Sequence, residues 1–198
     1  MVLHRNSQKR FYVDGAIYFI TILTKERFPF FDNESLCELF VAELKLAKKM
    51  KGFELFAFCV MPDHAHLLLR PGKEYNVSQV MHFIKRHFSR DANFILGPHL
   101  EGEVRELRLQ DGSYERYQGD VTEHDNFLKT IKDRYPLRSS ADQLPPFYWQ
   151  HSFHDHVIRH QDDFEKHYHY TVYNHLKHDW PDNWRYTSLN FMALINKF

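Results

Sequence analysis

The sequence has little cysteine: Cys37 and Cys59 form no metal-binding spacing, and Cys59 lies inside an apolar run, so both read as small buried hydrophobes. It has no excess of charge either. The 26 Lys and Arg balance the 26 Asp and Glu, which removes any compositional reason to propose a nucleic-acid partner, although a neutral total can hide a basic face. No run is long and apolar enough to span a bilayer, and neither a signal peptide nor a lipidation motif is visible, so a soluble, cytoplasmic chain is expected. No internal repeat is evident. What is present is apolar and aromatic. A content of 43% hydrophobic residues, with 18 Phe, 11 Tyr and 3 Trp, predicts a real core and excludes wholesale disorder. A chain of 198 residues reads as one domain, able to bury roughly two thirds to 70% of its unfolded surface. The 15 histidines are unusually many.

Hydrophobic patterning lays out the elements. After a basic arm over Arg5 to Tyr12, Ala16 to Thr24 reads as a strand by its β-branched and aromatic content. A helix is predicted from about Glu34 to Met50, with Leu36, Leu39, Phe40, Leu44 and Ala47 on its apolar side, lysines late and Gly52 to stop it. Strand-like sequence occupies Glu54 to Arg70, broken at Pro62-Asp63, and reads either as two adjacent antiparallel strands or as one bent strand. Asn76 or Ser78 can cap a helix reaching about Ala92. Residues 98–146 fit the pattern least. They read as an insertion carrying a hairpin (Val104 to Leu109, an Asp111-Gly112 turn, Tyr114 to Tyr117) and a short helix, protruding from the core. Phe153 to Ile158 is a further strand, and a last helix runs from Asp162 or Asp163 to about His178. A tail with a short apolar segment follows, over Trp184 to Phe198. With the insertion set aside, the order is that of an α+β, ferredoxin-like split βαβ sheet with two helices on one face and an added C-terminal helix.

Two stretches carry candidate chemistry. In His64-Ala65-His66-Leu67-Leu68 strand alternation turns His64 and His66 to one side and Ala65 and Leu67 to the other. Paired imidazoles beside Asp63 can hold one divalent ion, or can be ordinary strand histidines. In the last helix His167, Tyr170, Asn174 and His178 follow one another at steps of three or four, on one polar stripe. Taken alone, amid Tyr168 and Tyr173, Tyr170 reads as a packed aromatic sooner than as a nucleophile.

The stretch Cys59 to Leu68 resembles the His-hydrophobic-His signature of single-tyrosine HUH transposases, and more narrowly of REP-associated tyrosine transposases and their insertion-sequence relatives. Further blocks match in order: Tyr18 to Thr24, Met81 to Ser89, Trp149 to Arg159, Tyr170 to His178 and Trp184 to Ser188. The family commonly has Asn-Pro where this chain has Asn174-His175, and a bulkier apolar residue at Ala65. The resemblance implies a metal-dependent transposase or endonuclease that cleaves and rejoins single-stranded DNA through a 5′-phosphotyrosine. It makes Tyr170 the nucleophile and His64, His66 and Asn174 the ligands of Mg2+ or Mn2+. It implies a partner in single-stranded DNA with hairpins, such as palindromic repeats or element ends. Lys85, Arg86, Arg90 and Arg159 are candidates for phosphate contacts, and Trp149, with Phe30, Phe31 and Trp184, for base stacking. The expected assembly is a monomer or homodimer, nucleoid-associated when bound to DNA. Two other readings stand beside it: a domesticated enzyme that nicks and joins DNA at repeats, and a noncatalytic single-strand binding module.

Overall fold

A computed structural model describes residues 12–97, 114–134 and 144–198. The described elements run β1 (Tyr18–Leu23), α1 (Glu34–Lys51), β2 (Glu54–Met61), β3 (His64–Arg70), α2 (Val77–Leu96), α3 (Tyr114–Arg134), β4 (His154–Val157), α4 (Gln161–Val172) and α5 (Asn174–Lys177). The two apolar runs about Pro62-Asp63 are therefore separate strands, paired antiparallel with Met61 opposite His64. Proline supplies no N–H to a ladder, and the reversal happens there. The Asp63 carbonyl accepts from both the N–H and the hydroxyl of Thr24, each at 2.9 Å, and the Pro62 carbonyl accepts from the Phe31 N–H at 2.9 Å.

Among the described residues four strands form one antiparallel sheet in the order β2-β3-β1-β4, the ferredoxin-like arrangement expected. Alternation divides its side chains between two faces. Tyr18, Ile20, Ile22, Ala65, Leu67 and Leu69 pack with α1 and α2 in the main core. Phe56, Ala57 and Leu68 pack with Phe164 and Val172 of α4 on the other face, with Phe19 and Tyr168 at the margin. The β2 edge is covered by the tail: Val60 N–H donates to the Tyr186 carbonyl at 2.9 Å, and Trp184 Nε1 to the Val60 carbonyl at 2.7 Å. Such a covered edge is closed to pairing with another chain.

Capping sets the helix limits. Asn33 accepts from Ser35 N–H at the start of α1, and Gly52 ends it in the left-handed region at φ 60°. Of the two candidate caps for α2, Asn76 is the one used, in a reciprocal box with Gln79. Asn76→Ala is expected to cost about 1 kcal/mol, lowering the thermal midpoint by roughly 2–4 °C in a chain of this size. A melt followed by circular dichroism checks it; an unchanged midpoint would show that the box contributes nothing.

Four expectations need correction. Helix α2 continues past Ala92 to Leu96, because Ile95 is buried in the core. The last helix does not reach His178 unbroken. It stops at Val172, Tyr173 leaves helical geometry (φ −106°, ψ 19°) and a short α5 follows. The Val172 carbonyl, which a continuing helix would use, accepts the Thr187 hydroxyl of the tail at 2.8 Å. Third, Tyr114 to Tyr117 is helical, the start of the 21-residue α3, rather than the second strand of a hairpin. The hairpin's other half, Val104 to Leu109 with Asp111-Gly112, lies outside the described residues, as does most of the N-terminal arm. Nor does α3 protrude. Its Leu128 and Ile131 are buried members of the main core. No described helix is long and apolar enough to cross a membrane.

Candidate active site

Strand register brings the two histidines of β3 together on the α4 face. Thr21 pairs with His66 and Leu23 with His64 across the β1–β3 ladder. The imidazole centroids of His64 and His66 lie 4.8 Å apart and nearly perpendicular, and both residues are buried. Each ring is held through Nδ1. His64 Nδ1 is 2.6 Å from the Asp63 carboxylate, which on its other oxygen takes the Arg27 guanidinium at 2.7 Å. His66 Nδ1 is 2.9 Å from the hydroxyl of Thr21, directly across the ladder. With both Nδ1 atoms engaged, Nε2 is the nitrogen each ring can offer to a ligand.

The electrostatics keep this pair neutral. Burial lowers the His64 imidazole below its usual value even against the neighbouring Asp63 carboxylate. Burial pushes His66 down to about 3, helped by His64, His178 and Lys177. Burial alone would raise the Asp63 carboxyl, but the hydrogen bond from His64 and the Arg27 guanidinium outweigh it and hold it below the ordinary range. Neutral imidazole is the form that binds a cation. Among the described residues, His66 Nε2 is buried without a hydrogen-bond partner, as are both amide atoms of Asn174. Orphaned donors and acceptors of this kind are costly unless a ligand takes them up. A nitrogen-and-oxygen donor set suits a divalent ion of the Mg2+ or Mn2+ type only in part, with imidazole the softer contribution.

Helix α4 delivers Tyr170 to the same place. Its ring centroid lies 5.2 Å from that of His66 and 5.7 Å from that of Phe19, and the ring is partly exposed. Lys177 Nζ stands 4.7 Å from the Tyr170 centroid. The neighbouring tyrosines are occupied elsewhere: Tyr168 stacks on Phe164 in the small apolar cluster, and Tyr173 stacks on His169. The break at Tyr173 separates Asn174 and His178 from the stripe predicted for one straight helix. His178, exposed, nonetheless comes back within 5.8 Å of the His64 ring. His167 turns instead to Asp163 and His156.

Of the candidate DNA contacts, Arg86 and Arg159 are exposed. Lys85 donates to the carbonyls of Gln150 and Ser152. Arg90 is committed to Asp91 at 2.7 Å and to His87 at 3.1 Å, a structural use. Trp149, Phe30 and Phe31 are buried in the core and offer no face to a base. Trp184 is half-buried, with its indole N–H on the Val60 carbonyl. Sequence reasoning named Asp63 only as a neighbour and missed Thr21, Phe19, Arg27 and Lys177. A threonine inside an apolar strand, two residues from a phenylalanine, was the available signal for the first two.

Residues 12–102 match the family model described as transposase IS200 like. A Haemophilus influenzae protein described as a REP-associated tyrosine transposase is 25% identical over 189 residues, covering 93% of this chain and 86% of that one. A solved structure of a REP-associated tyrosine transposase bound to a REP hairpin superposes with a TM-score of 0.62 at 17% identity, over 96% of this chain and 86% of that chain. The last of these speaks for the fold. Matched segment, near full-length relative and shared fold agree: the chain is similar to the IS200-like transposases over residues 12–102 and to a REP-associated tyrosine transposase along most of its length.

Proposed function

We propose that the chain is a metal-dependent single-tyrosine transposase that cleaves and rejoins hairpin-bearing single-stranded DNA, with Tyr170 as nucleophile and His64, His66 and Asn174 as metal ligands. The observation that carries this reading is the placement of Tyr170 against His66, whose buried Nε2 has no partner among the described residues. The hairpin-bound structural relative supports the choice of substrate.

A divalent ion held by these residues would withdraw charge from the scissile phosphate and steady the developing oxyanion. The chain's own residues do the rest. Tyr170 Oη loses its proton and attacks phosphorus in line, the bond from phosphorus to the 3′ oxygen breaks, and that oxygen leaves as a 3′-OH. The phosphoester is conserved as a 5′-phosphotyrosine, so a 3′-OH of another strand can reverse the reaction without any nucleotide cofactor. Asp63 and Thr21 hold the imidazoles in the tautomer with Nε2 open, the positioning that carboxylate and hydroxyl groups provide to metal-bound histidines. Lys177, beside the Tyr170 ring, places a cation where phosphate must approach. Exposed Arg86 and Arg159 are suited to backbone phosphates.

The direct test incubates the protein with Mg2+ or Mn2+ and end-labelled single-stranded hairpin DNA. A denaturation-resistant adduct at Tyr170 is expected, and noncatalytic binding would leave none. The orienting role of Thr21 has its own readout. Thr21→Val keeps shape and strand propensity but removes the partner of His66 Nδ1. Mn2+ affinity by calorimetry should fall about 10–100-fold with the fold unchanged; an unaltered affinity would take His66 out of the ligand set.

A further inference from the structure

Outside this site, β4 and α4 bring together a second group of metal-ligating side chains. His156 Nε2 lies 2.9 Å from Asp163 Oδ2, and His167 Nδ1 lies 3.0 Å from Asp163 Oδ1. The two imidazoles are stacked, with centroids 4.7 Å apart and planes 18° from parallel. One donor atom from each residue falls within 4.8 Å of the others. The group is neither sealed nor fully open: side-chain exposure is 39% for His156, 13% for Asp163 and 20% for His167. An ion can therefore enter, and the ligands are held on regular elements. Asp163 Oδ2 also accepts the Arg159 N–H at 3.0 Å, which fixes the carboxylate. Burial works against its ionisation, yet the hydrogen bonds from His156 and Arg159 and the adjacent histidines hold it below the ordinary carboxylate range.

We infer that His156, Asp163 and His167 form a second divalent-metal site, selective for a borderline transition ion such as Zn2+, that ties α4 to the edge strand β4. Two imidazoles and one carboxylate are the donors such an ion prefers, with a water left to complete a tetrahedron. Bonds of about 2.0–2.2 Å to a tetrahedral ion put neighbouring donors roughly 3.3 Å apart; the two His–Asp separations, each to a different carboxylate oxygen, lie just under this, and the whole donor set falls within 4.8 Å. Each imidazole that now donates to the carboxylate moves its single N–H to its other ring nitrogen, which leaves a lone pair for the ion where the hydrogen bond was. His167 Nδ1 also gives up its contact with the Asp163 carbonyl, at 2.8 Å.

The placement separates this site from the His64–His66 pair while keeping the two adjacent. Phe19 stands between them, its ring 5.3 Å from that of His66 and 4.8 Å from that of His167. A full aromatic ring between the centres does not suit a two-metal pair, whose ions sit about 3.5–4 Å apart. The second ion is structural. It would clamp the helix one turn before Tyr170, a consequence for catalysis that rests on the function proposed above, whereas the site itself does not.

The test uses the full chain with His64→Ala and His66→Ala, so that the other pair cannot bind. Titration with ZnCl2 by calorimetry should find one site per chain, and CoCl2 should develop visible d–d absorption. Adding His156→Ala or His167→Ala should weaken Zn2+ by at least the roughly 10–100-fold that even outer partners of a ligand are worth, and should abolish the Co2+ bands. His169→Ala, exposed on the same helix, should change neither. Zn2+ binding that is indifferent to His156→Ala and His167→Ala overturns the site. Should either variant fail to fold by circular dichroism, anomalous diffraction from Zn2+-soaked crystals of the parent decides: a peak among the three donors supports the site and its absence overturns it. Equal Zn2+ stoichiometry in wild type and the parent variant would count against His64 and His66 as ligands and leave the second site standing.

Discussion

Tyr170→Phe is expected to cut covalent adduct formation by at least roughly 10⁴-fold, in the direction of the losses that follow removal of a covalent nucleophile, while leaving the fold intact. The substitution deletes one oxygen. The ring contacts with His66 and Phe19 and the cation at Lys177 depend on the aromatic face and edge, which phenylalanine retains. Binding of single-stranded hairpin DNA should persist with its ordinary salt dependence, since phosphate contacts come from the cationic side chains. His64→Ala should separate from it cleanly, with weakened metal binding together with lost cleavage. Tryptic mapping of the wild-type adduct by mass spectrometry gives the decisive reading. An adduct on Tyr168 or Tyr173 would overturn the nucleophile assignment, and undiminished cleavage by Tyr170→Phe would point to activated water in place of tyrosine.

The parts of this site that could be read in the sequence are those set by local periodicity. Alternation alone put His64 and His66 on one face and Ala65, Leu67 and Leu69 on the other, and the division between the two apolar clusters follows it. Caps at Asn76 and Gly52 are equally local. What could not be read came from other elements. Thr21 meets His66 only through the β1–β3 register, and Arg27 reaches Asp63 only because the turn after β1 returns past it. The end of α4 is set by Thr187, 15 positions away, taking the Val172 carbonyl. Aromatic content cannot tell a base platform from core, and Trp149 is core, 5.3 Å from the Phe88 ring and 4.9 Å from that of Phe147.

The same limit explains why residues 98–146 read as an insertion protruding from the core, whereas the structure makes part of it core. Helix α3 places Leu128 and Ile131 in the main core, and Lys132 Nζ stands 3.9 Å from the Phe94 ring. His124 Nε2 lies 3.1 Å from Glu43 of α1 and 3.1 Å from Asp91 of α2. Both carboxyls are fully buried, and Glu43 Oε2 has no hydrogen-bond partner among the described residues. The imidazole is thus a shared donor for two acidic groups in the interior, where deleting one partner of a buried charged cluster costs about 3–5 kcal/mol. His124→Ala should lower the thermal midpoint by roughly 10 °C on that basis. Removing residues 99–145 takes away this donor and the two aliphatic side chains at once, each of the latter worth about 2–5 kcal/mol. The sum approaches or exceeds the roughly 5–15 kcal/mol by which domains are stable, so the shortened chain should lose its cooperative transition altogether. A deletion variant that still melts cooperatively near the wild-type midpoint would show that α3 only rests on the core. Should His124→Ala alone prove neutral, the acidic pair has another source of compensation and the loss on deletion must come from Leu128 and Ile131.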